Sequence, residues 1–206
     1  MKTEKNKTEQ NRTEKNKTEK ARTEKTKTEE TKADVSAEES AVEYGRVIVL
    51  MRHGAAEDAG EQGSDADREL TDEGHARMKF AARGLAAMVS RPAAIITSPL
   101  VRSQQTARWV SRAWRGKPEL DMADILAPDG DPGQLESFVR SLPGKRTVLV
   151  GHEPNLSILV ERLIGIHERG AIRLGKGGAC AILLEEGTAK LEWLITPRAL
   201  RTLGSR

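Results

Sequence analysis

The sequence predicts an α/β fold, a three-layer α/β/α sandwich around a mostly parallel sheet that ends in a C-terminal hairpin. Three observations carry this expectation. From Tyr44 onward, short apolar runs bounded by turn residues alternate with longer stretches of helical periodicity. Two of the runs, "RVIVLM" (46–51) and "TVLVG" (147–151), are continuously apolar at their centres, as strands covered on both faces are. The closing stretch "ACAILLEEGTAKLEWLIT" reads as two strands joined by a tight turn at Glu186-Gly187.

Each element has its own local reason. After the first strand, "LTDEGHARMKFAARGLAAMVS" (70–90) reads as a helix with Thr71 as N-cap and Asp72 and Glu73 in the first turn, where they suit the macrodipole. Its apolar residues Met78, Ala81, Ala82, Leu85, Met88 and Val89 recur at helical spacing. Pro92 ends the pattern, and "AAIIT" (93–97) is the second strand. A helix from Val101 to Trp114 follows and stops near Gly116 and Pro118. "GQLESFVRSL" (133–142) is a shorter helix with Leu135, Phe138, Val139 and Leu142 on one face. The third strand, 147–151, leads into the helix "NLSILVERLI" (155–164), which ends at Gly165. "ERGAIRLGKGG" (168–178) is basic and glycine-rich but lacks P-loop order, and reads as a flexible approach to the hairpin.

Composition sets the organisation. Residues 1–41 are Lys, Glu, Thr, Asn and Arg with almost no large apolar side chain, and residues 2–31 fall into pentads such as KTEKN and KTEQN. A period of five presents no face that could pack, so a solvated, mostly disordered tail is expected. The N-x-T triplets at Asn6, Asn11 and Asn16 follow from this composition. Residues 42–206 are then one domain of ordinary size. Of 34 Lys+Arg and 31 Asp+Glu, the first 40 residues hold 11 and 10, leaving 23 and 21 and a net charge of only +2. That balance, with three tryptophans spaced as packing residues (Trp109, Trp114, Trp193), argues against a nucleic-acid surface. Cys180 is the only cysteine, sits in an apolar run and reads as a buried hydrophobe, so no disulfide or thiolate metal cluster is expected. The N-terminus lacks an apolar core behind its charges and no apolar run reaches membrane length; a cytoplasmic protein without membrane partners is the expectation.

The chemistry gathers at strand ends. In open parallel sheets, ligands sit beyond the carboxyl ends of the strands. The first strand ends in Arg52-His53-Gly54; the second ends in Thr97-Ser98-Pro99 and opens a helix carrying Arg102; the third ends in Gly151-His152. Guanidinium forks bind phosphoryl oxygens in bidentate fashion, and a neutral imidazole is a competent nucleophile toward phosphorus. Arg52, His53, Arg102 and His152 are therefore the candidate catalytic set, with Gly54 and Ser98 as further phosphate contacts. The arginines supply the positive field, so neither metal nor cofactor is expected. His75 and His167, at helix ends, read as surface or capping residues, and Arg68 as a loop or pocket-rim residue.

With these residues in place, the sequence resembles the histidine phosphatase superfamily, and within it the small bacterial phosphohistidine phosphatases. The resemblance runs from Val47 to the C-terminus and rests on "LMRHGAAE", "RELTDEGHARM", "ITSPLVRSQQTA", "LAPDGDPGQL", "VLVGHEPNLSILVERL" and "LEWLITP". It implies a phosphoglycerate mutase-like fold, His53 as the nucleophile that becomes phosphorylated, and Arg52, Arg102 and His152 as the phosphate pocket. One departure is informative. Mutases and many phosphomonoesterases of the superfamily carry a glutamate two residues past a leucine, and after Leu126 this sequence reads Ala127-Pro128-Asp129-Gly130. An alkoxide leaving group needs that acid, whereas an imidazole leaving group, of pKa about 6.5, needs it much less. The expected substrate is thus phosphohistidine on a signalling protein, ahead of a small phosphate ester and of a non-catalytic phospho-binding role. Glu57, Asp129, Asp131 and Glu153 are the stand-in acids to examine.

Overall fold

In a computed structural model, residues 45–59, 63–168 and 170–206 are described; the expected N-terminal tail lies outside them. Six strands form one sheet: β1 (Arg46–Arg52), β2 (Ala94–Thr97), β3 (Glu119–Met122), β4 (Arg146–Gly151), β5 (Ala179–Glu185) and β6 (Thr188–Ile195), in the order β3-β2-β4-β1-β5-β6. The first four of that order run parallel, while β5 is antiparallel to both β1 and β6. Gly187, at φ +73°, makes the hairpin turn that joins β5 to β6.

Five helices cover the two faces: α1 (Asp72–Met88), α2 (Val101–Arg112), α3 (Pro132–Ser141), α4 (Asn155–Leu163) and α5 (Pro197–Gly204). The alternation of side chains along β1 explains the three layers. Ile48 and Leu50 pack with Leu135 and Val139 of α3 and Leu156 and Leu159 of α4. Val49 and Met51 pack on the other face with Met78 and Leu85 of α1, Val110 of α2 and Leu200 of α5. Thr71 caps α1 by accepting from the Gly74 amide, as its position suggested.

Two elements escaped the sequence pattern. Strand β3 is exposed along its length, and its Glu119 and Asp121 blunt a sheet edge rather than build a core. Helix α5 follows the hairpin, with Thr196 as N-cap and Pro197 in its first turn. It lies backbone to backbone on α1, since a Cβ on Gly84 would stand 2.0 Å from the Leu200 carbonyl oxygen and one on Gly204 1.9 Å from that of Phe80. The approach to the hairpin is also less slack than expected. The Glu161 carboxylate accepts from the amides of Gly170 and Ile172, and Leu174 is buried in the core.

Candidate active site

The register of the sheet assembles the site. Arg52 stands opposite Gly151 on the neighbouring parallel strand, and the His53 amide donates to the Gly151 carbonyl at 3.1 Å. The next residue on each strand is therefore a histidine, and the two rings come to lie 4.9 Å apart, centroid to centroid. That is the spacing of adjacent strands, about 4.8 Å. On the other side of β4, Thr97 pairs with Val150, so Ser98 reaches the same level. Helices α2 and α4 both begin just after these strand ends, adding the positive ends of their dipoles.

Both histidines are buried, at 6% and 3% exposure. The Nδ1 of His53 lies 2.7 Å from the Gly54 carbonyl, which can only accept; Nδ1 therefore carries the proton and Nε2 keeps its lone pair. Burial pushes this imidazole down to about 3, with His152, Arg102 and Arg52 acting in the same direction and the Gly54 hydrogen bond opposing. His152 is pushed down to about 4 by burial, then Arg102, with Asp65 opposing. Its Nε2 lies 2.9 Å from Ser98 Oγ and 3.1 Å from Ser103 Oγ. Ser98 Oγ also accepts from the Leu100 amide at 3.3 Å, so the hydroxyl beside His152 Nε2 is itself held in place.

The two guanidiniums act on both rings, each lowering the pKa of His53 and of His152. Arg52 donates to the Leu174 carbonyl at 3.0 Å, and burial lowers its pKa. Arg102, 4% exposed, donates to the Asp65 carbonyl and to Asp65 Oδ2 at 2.9 Å. The Nε–H groups of both arginines are buried without an acceptor. A buried unsatisfied donor costs about 1–3 kcal/mol, more when charged, so each of these guanidiniums suits an anionic partner.

Other expected residues have different work. The Gly54 amide donates to Thr106 Oγ1 at 3.0 Å, and a Cβ at this position would meet Met78 Cγ at 2.6 Å. Ser98 is fully buried, with its hydroxyl 2.9 Å from His152 Nε2. Among the stand-in acids, Asp131 caps α3 by accepting from the Gln134 amide, and Glu57 and Asp129 are exposed. Glu153 is half-buried, its pKa raised by burial; Oε2 accepts from Ser157 and Oε1 is sealed from solvent without a partner. His75 accepts from Trp109 Nε1, and His167 is exposed. Arg68 donates to Asp65 Oδ1 and to the Glu57 carbonyl, so it braces the loop over Arg102.

Three contributors went unnoticed in the sequence. Asp65 bridges Arg68 and Arg102 through its two carboxylate oxygens. Ser103 completes the grip on His152, and its place beside Arg102 was the available signal. Asn155 donates to the carbonyls of Ala127, Pro128 and Gly130, fastening the 127–130 loop next to the pocket.

The profile of the histidine phosphatase superfamily (branch 1) matches residues 48–123, a span that includes Arg52, His53 and Arg102. An uncharacterised protein of Picosynechococcus sp. is 32% identical over 148 residues, covering 70% of this chain and 88% of its own. The chain belongs to the histidine phosphatase superfamily. Within the superfamily it is similar to the phosphohistidine phosphatase SixA of Escherichia coli, 27% identical over 157 residues, 75% of this chain and 96% of SixA. A solved structure of the protein histidine phosphatase SixA with tungstate superimposes with a TM-score of 0.67 at 22% identity, covering 75% of this chain and 99% of that one. Superfamily membership and fold thus agree with the site geometry.

Proposed function

We propose that this member of the superfamily is a phosphatase that works through a covalent phosphohistidine, and that its substrate is phosphohistidine on another protein. The observation that carries the chemistry is the state of His53. Its Nδ1–H is tied to the Gly54 carbonyl, its Nε2 lone pair is free, and its neutrality extends well below physiological pH. In the first step Nε2 forms a bond to phosphorus as the bond from phosphorus to the substrate imidazole breaks, and the departing nitrogen takes a proton from solvent. Arg52, Arg102 and His152 hold the equatorial oxygens, where charge accumulates. Water then attacks the phosphorylated His53, releasing phosphate and restoring the imidazole.

The preference for a phosphoramidate rests on the missing acid. Asp131 is engaged as a helix cap, Asp129 and Glu57 are exposed to solvent, and Glu153 is tied to Ser157 with its other oxygen sealed from solvent. A substrate whose leaving nitrogen needs little help fits this set better than an alkoxide does. The test is release of phosphate from a phosphorylated histidine-phosphotransfer protein, compared by kcat/KM with p-nitrophenyl phosphate and a panel of sugar phosphates. The phosphoprotein should win, and His53→Ala should reduce release to the uncatalysed rate. A fully active His53→Ala variant refutes the mechanism; a sugar phosphate turned over faster than the phosphoprotein refutes the substrate.

A further inference from the structure

Next to the catalytic pocket runs a second feature that the phosphatase chemistry does not use. A cavity of about 200 Å³ is bounded by the backbone of Gly54 and Ala55, by Lys176 and Gly177, and by Arg77 and Arg201. An adjoining cavity of about 390 Å³ lies between α1 and α5 and is lined by Arg77, Phe80, Arg198 and Arg201. Arg77 and Arg201 belong to both, so the two form one trench leading away from the residue after His53. The Gly177 amide donates to the carbonyls of both Arg52 and His53, which fastens the trench wall to the backbone of the nucleophile.

The charges along it are one-sided. Among the described residues, four cations line the trench and no carboxylate does. Arg77 is paired with Glu73, but among the described residues Lys176, Arg198 and Arg201 form no ion pair. The lining also includes Phe80, 37% exposed, so apolar contact is offered among the cations. In length the trench follows α5, whose eight residues span about 12 Å, enough for roughly four residues of extended chain. A small phosphate ester bound at His53 would leave all of this unused. A nucleic acid would need a longer cationic track and more than one stacking ring.

We propose that the trench docks an acidic segment of a partner protein, and, resting on the phosphatase reading above, that this partner is the substrate whose phosphorylated side chain enters the neighbouring pocket. Charge complementarity of this kind governs encounter and register, so it should show in KM and in salt dependence more than in turnover.

Two measurements on the full chain test this. First, a fluorescein-labelled ten-residue peptide alternating Glu and Leu is titrated with the wild type, with Arg198→Glu/Arg201→Glu and with Lys176→Glu, reading anisotropy at low and physiological salt. Arg198→Glu places an acid in the first turn of α5, where the helix dipole favours it, and among the described residues neither Arg198 nor Arg201 is buried or ion-paired, so the double variant should fold. Peptide binding should weaken at least tenfold in each variant; equal binding by wild type and both variants overturns the docking site. A single-stranded oligonucleotide of equal charge that binds more tightly than the peptide, and loses its binding in the same variants, overturns the assignment to a protein partner. Second, with the phosphohistidine protein as substrate, KM should rise about tenfold in the double variant with kcat unchanged, against p-nitrophenyl phosphate as reference. Unchanged KM for the protein overturns its docking there. If the phosphoprotein is not hydrolysed at all, the substrate reading fails while the peptide titration still decides the trench.

Discussion

The two buried histidines make stability depend on pH in a way that can be worked out. His53 and His152 are held at about 3 and about 4 in the folded chain, whereas an unfolded histidine titrates near 6.5. As pH falls below 6.5, the unfolded chain takes up two protons that the folded chain refuses, so acid favours unfolding. The stabilising preference for neutral rings is complete above about pH 7 and is lost progressively between pH 6.5 and the folded values. At pH 5 both folded values are still well below the ambient pH, so the loss is set almost wholly by the unfolded state. It comes to about 2 kcal/mol for each ring, or about 4 kcal/mol for the pair. Against a typical total of about 5–15 kcal/mol, that is a large fraction.

Urea unfolding at pH 7, 6 and 5 in a phosphate-free buffer would measure it, because a bound oxyanion would favour protonated rings and blur the result. The comparison is with His53→Asn/His152→Asn, which keeps polar side chains of similar reach but removes both titrations. Subtracting the two curves cancels His75, His167 and the carboxylates. The wild type should lose about 4 kcal/mol relative to the variant between pH 7 and 5. Parallel curves for the two proteins would refute the claim that both imidazoles are neutral and desolvated in the folded pocket.

Three further outcomes are expected. Gly84→Ala should destabilise by about 1–3 kcal/mol in urea despite the better helix propensity of alanine, because its Cβ would collide with the Leu200 carbonyl and push α5 off α1; stabilisation would refute the close crossing. Ser98→Ala/Ser103→Ala should lower kcat for p-nitrophenyl phosphate about 10–100-fold with a smaller change in KM, since it frees His152 Nε2 and lets the ring turn. Asp65→Asn should tighten inhibition by orthovanadate several-fold, because the carboxylate that now competes for Arg102 is gone; weaker inhibition would show that Asp65 chiefly holds Arg102 in place.

How far the sequence disclosed this molecule depends on whether a residue's role is written in a periodic pattern. Strands β1, β2 and β4 and helices α1 and α4 were legible because burial on one or both faces imposes an apolar rhythm. Strand β3 has no such rhythm, since only its backbone is used by the sheet. Helix α5 is short, and just Leu200 and Gly204 are buried in it; its Thr-Pro start was the only local sign. Arg52, His53 and His152 were legible as candidates because strand ends concentrate chemistry, and Arg102 because it opens the helix after one. Asp65 was not, because a carboxylate in a loop shows its purpose only when the fold brings Arg102 to it from 37 residues away. The sequence likewise does not say which partner an amide or a hydroxyl takes: the Gly54 amide donates to Thr106 Oγ1, and the Ser98 hydroxyl lies against His152 Nε2.

The pocket is a consequence of register, and register must itself be enforced. In a strand buried on both faces, a slip of one residue would exchange one apolar side chain for another, so polarity of the faces does not protect it. The ends of the strand do. Arg46 and Arg52 bracket the five apolar residues of β1; Arg46 donates to the carbonyls of Leu142 and Arg140, and Arg52 to that of Leu174. A slip in either direction would drag one of these guanidiniums into the core, at a cost of several kcal/mol for an unpaired buried charge. Arg52 therefore marks where the apolar run must stop, and the next position, level with His152 on the adjacent strand, is where His53 has to stand. The residue proposed to grip the phosphoryl group is thus also the one that fixes how far the nucleophile lies from its partner.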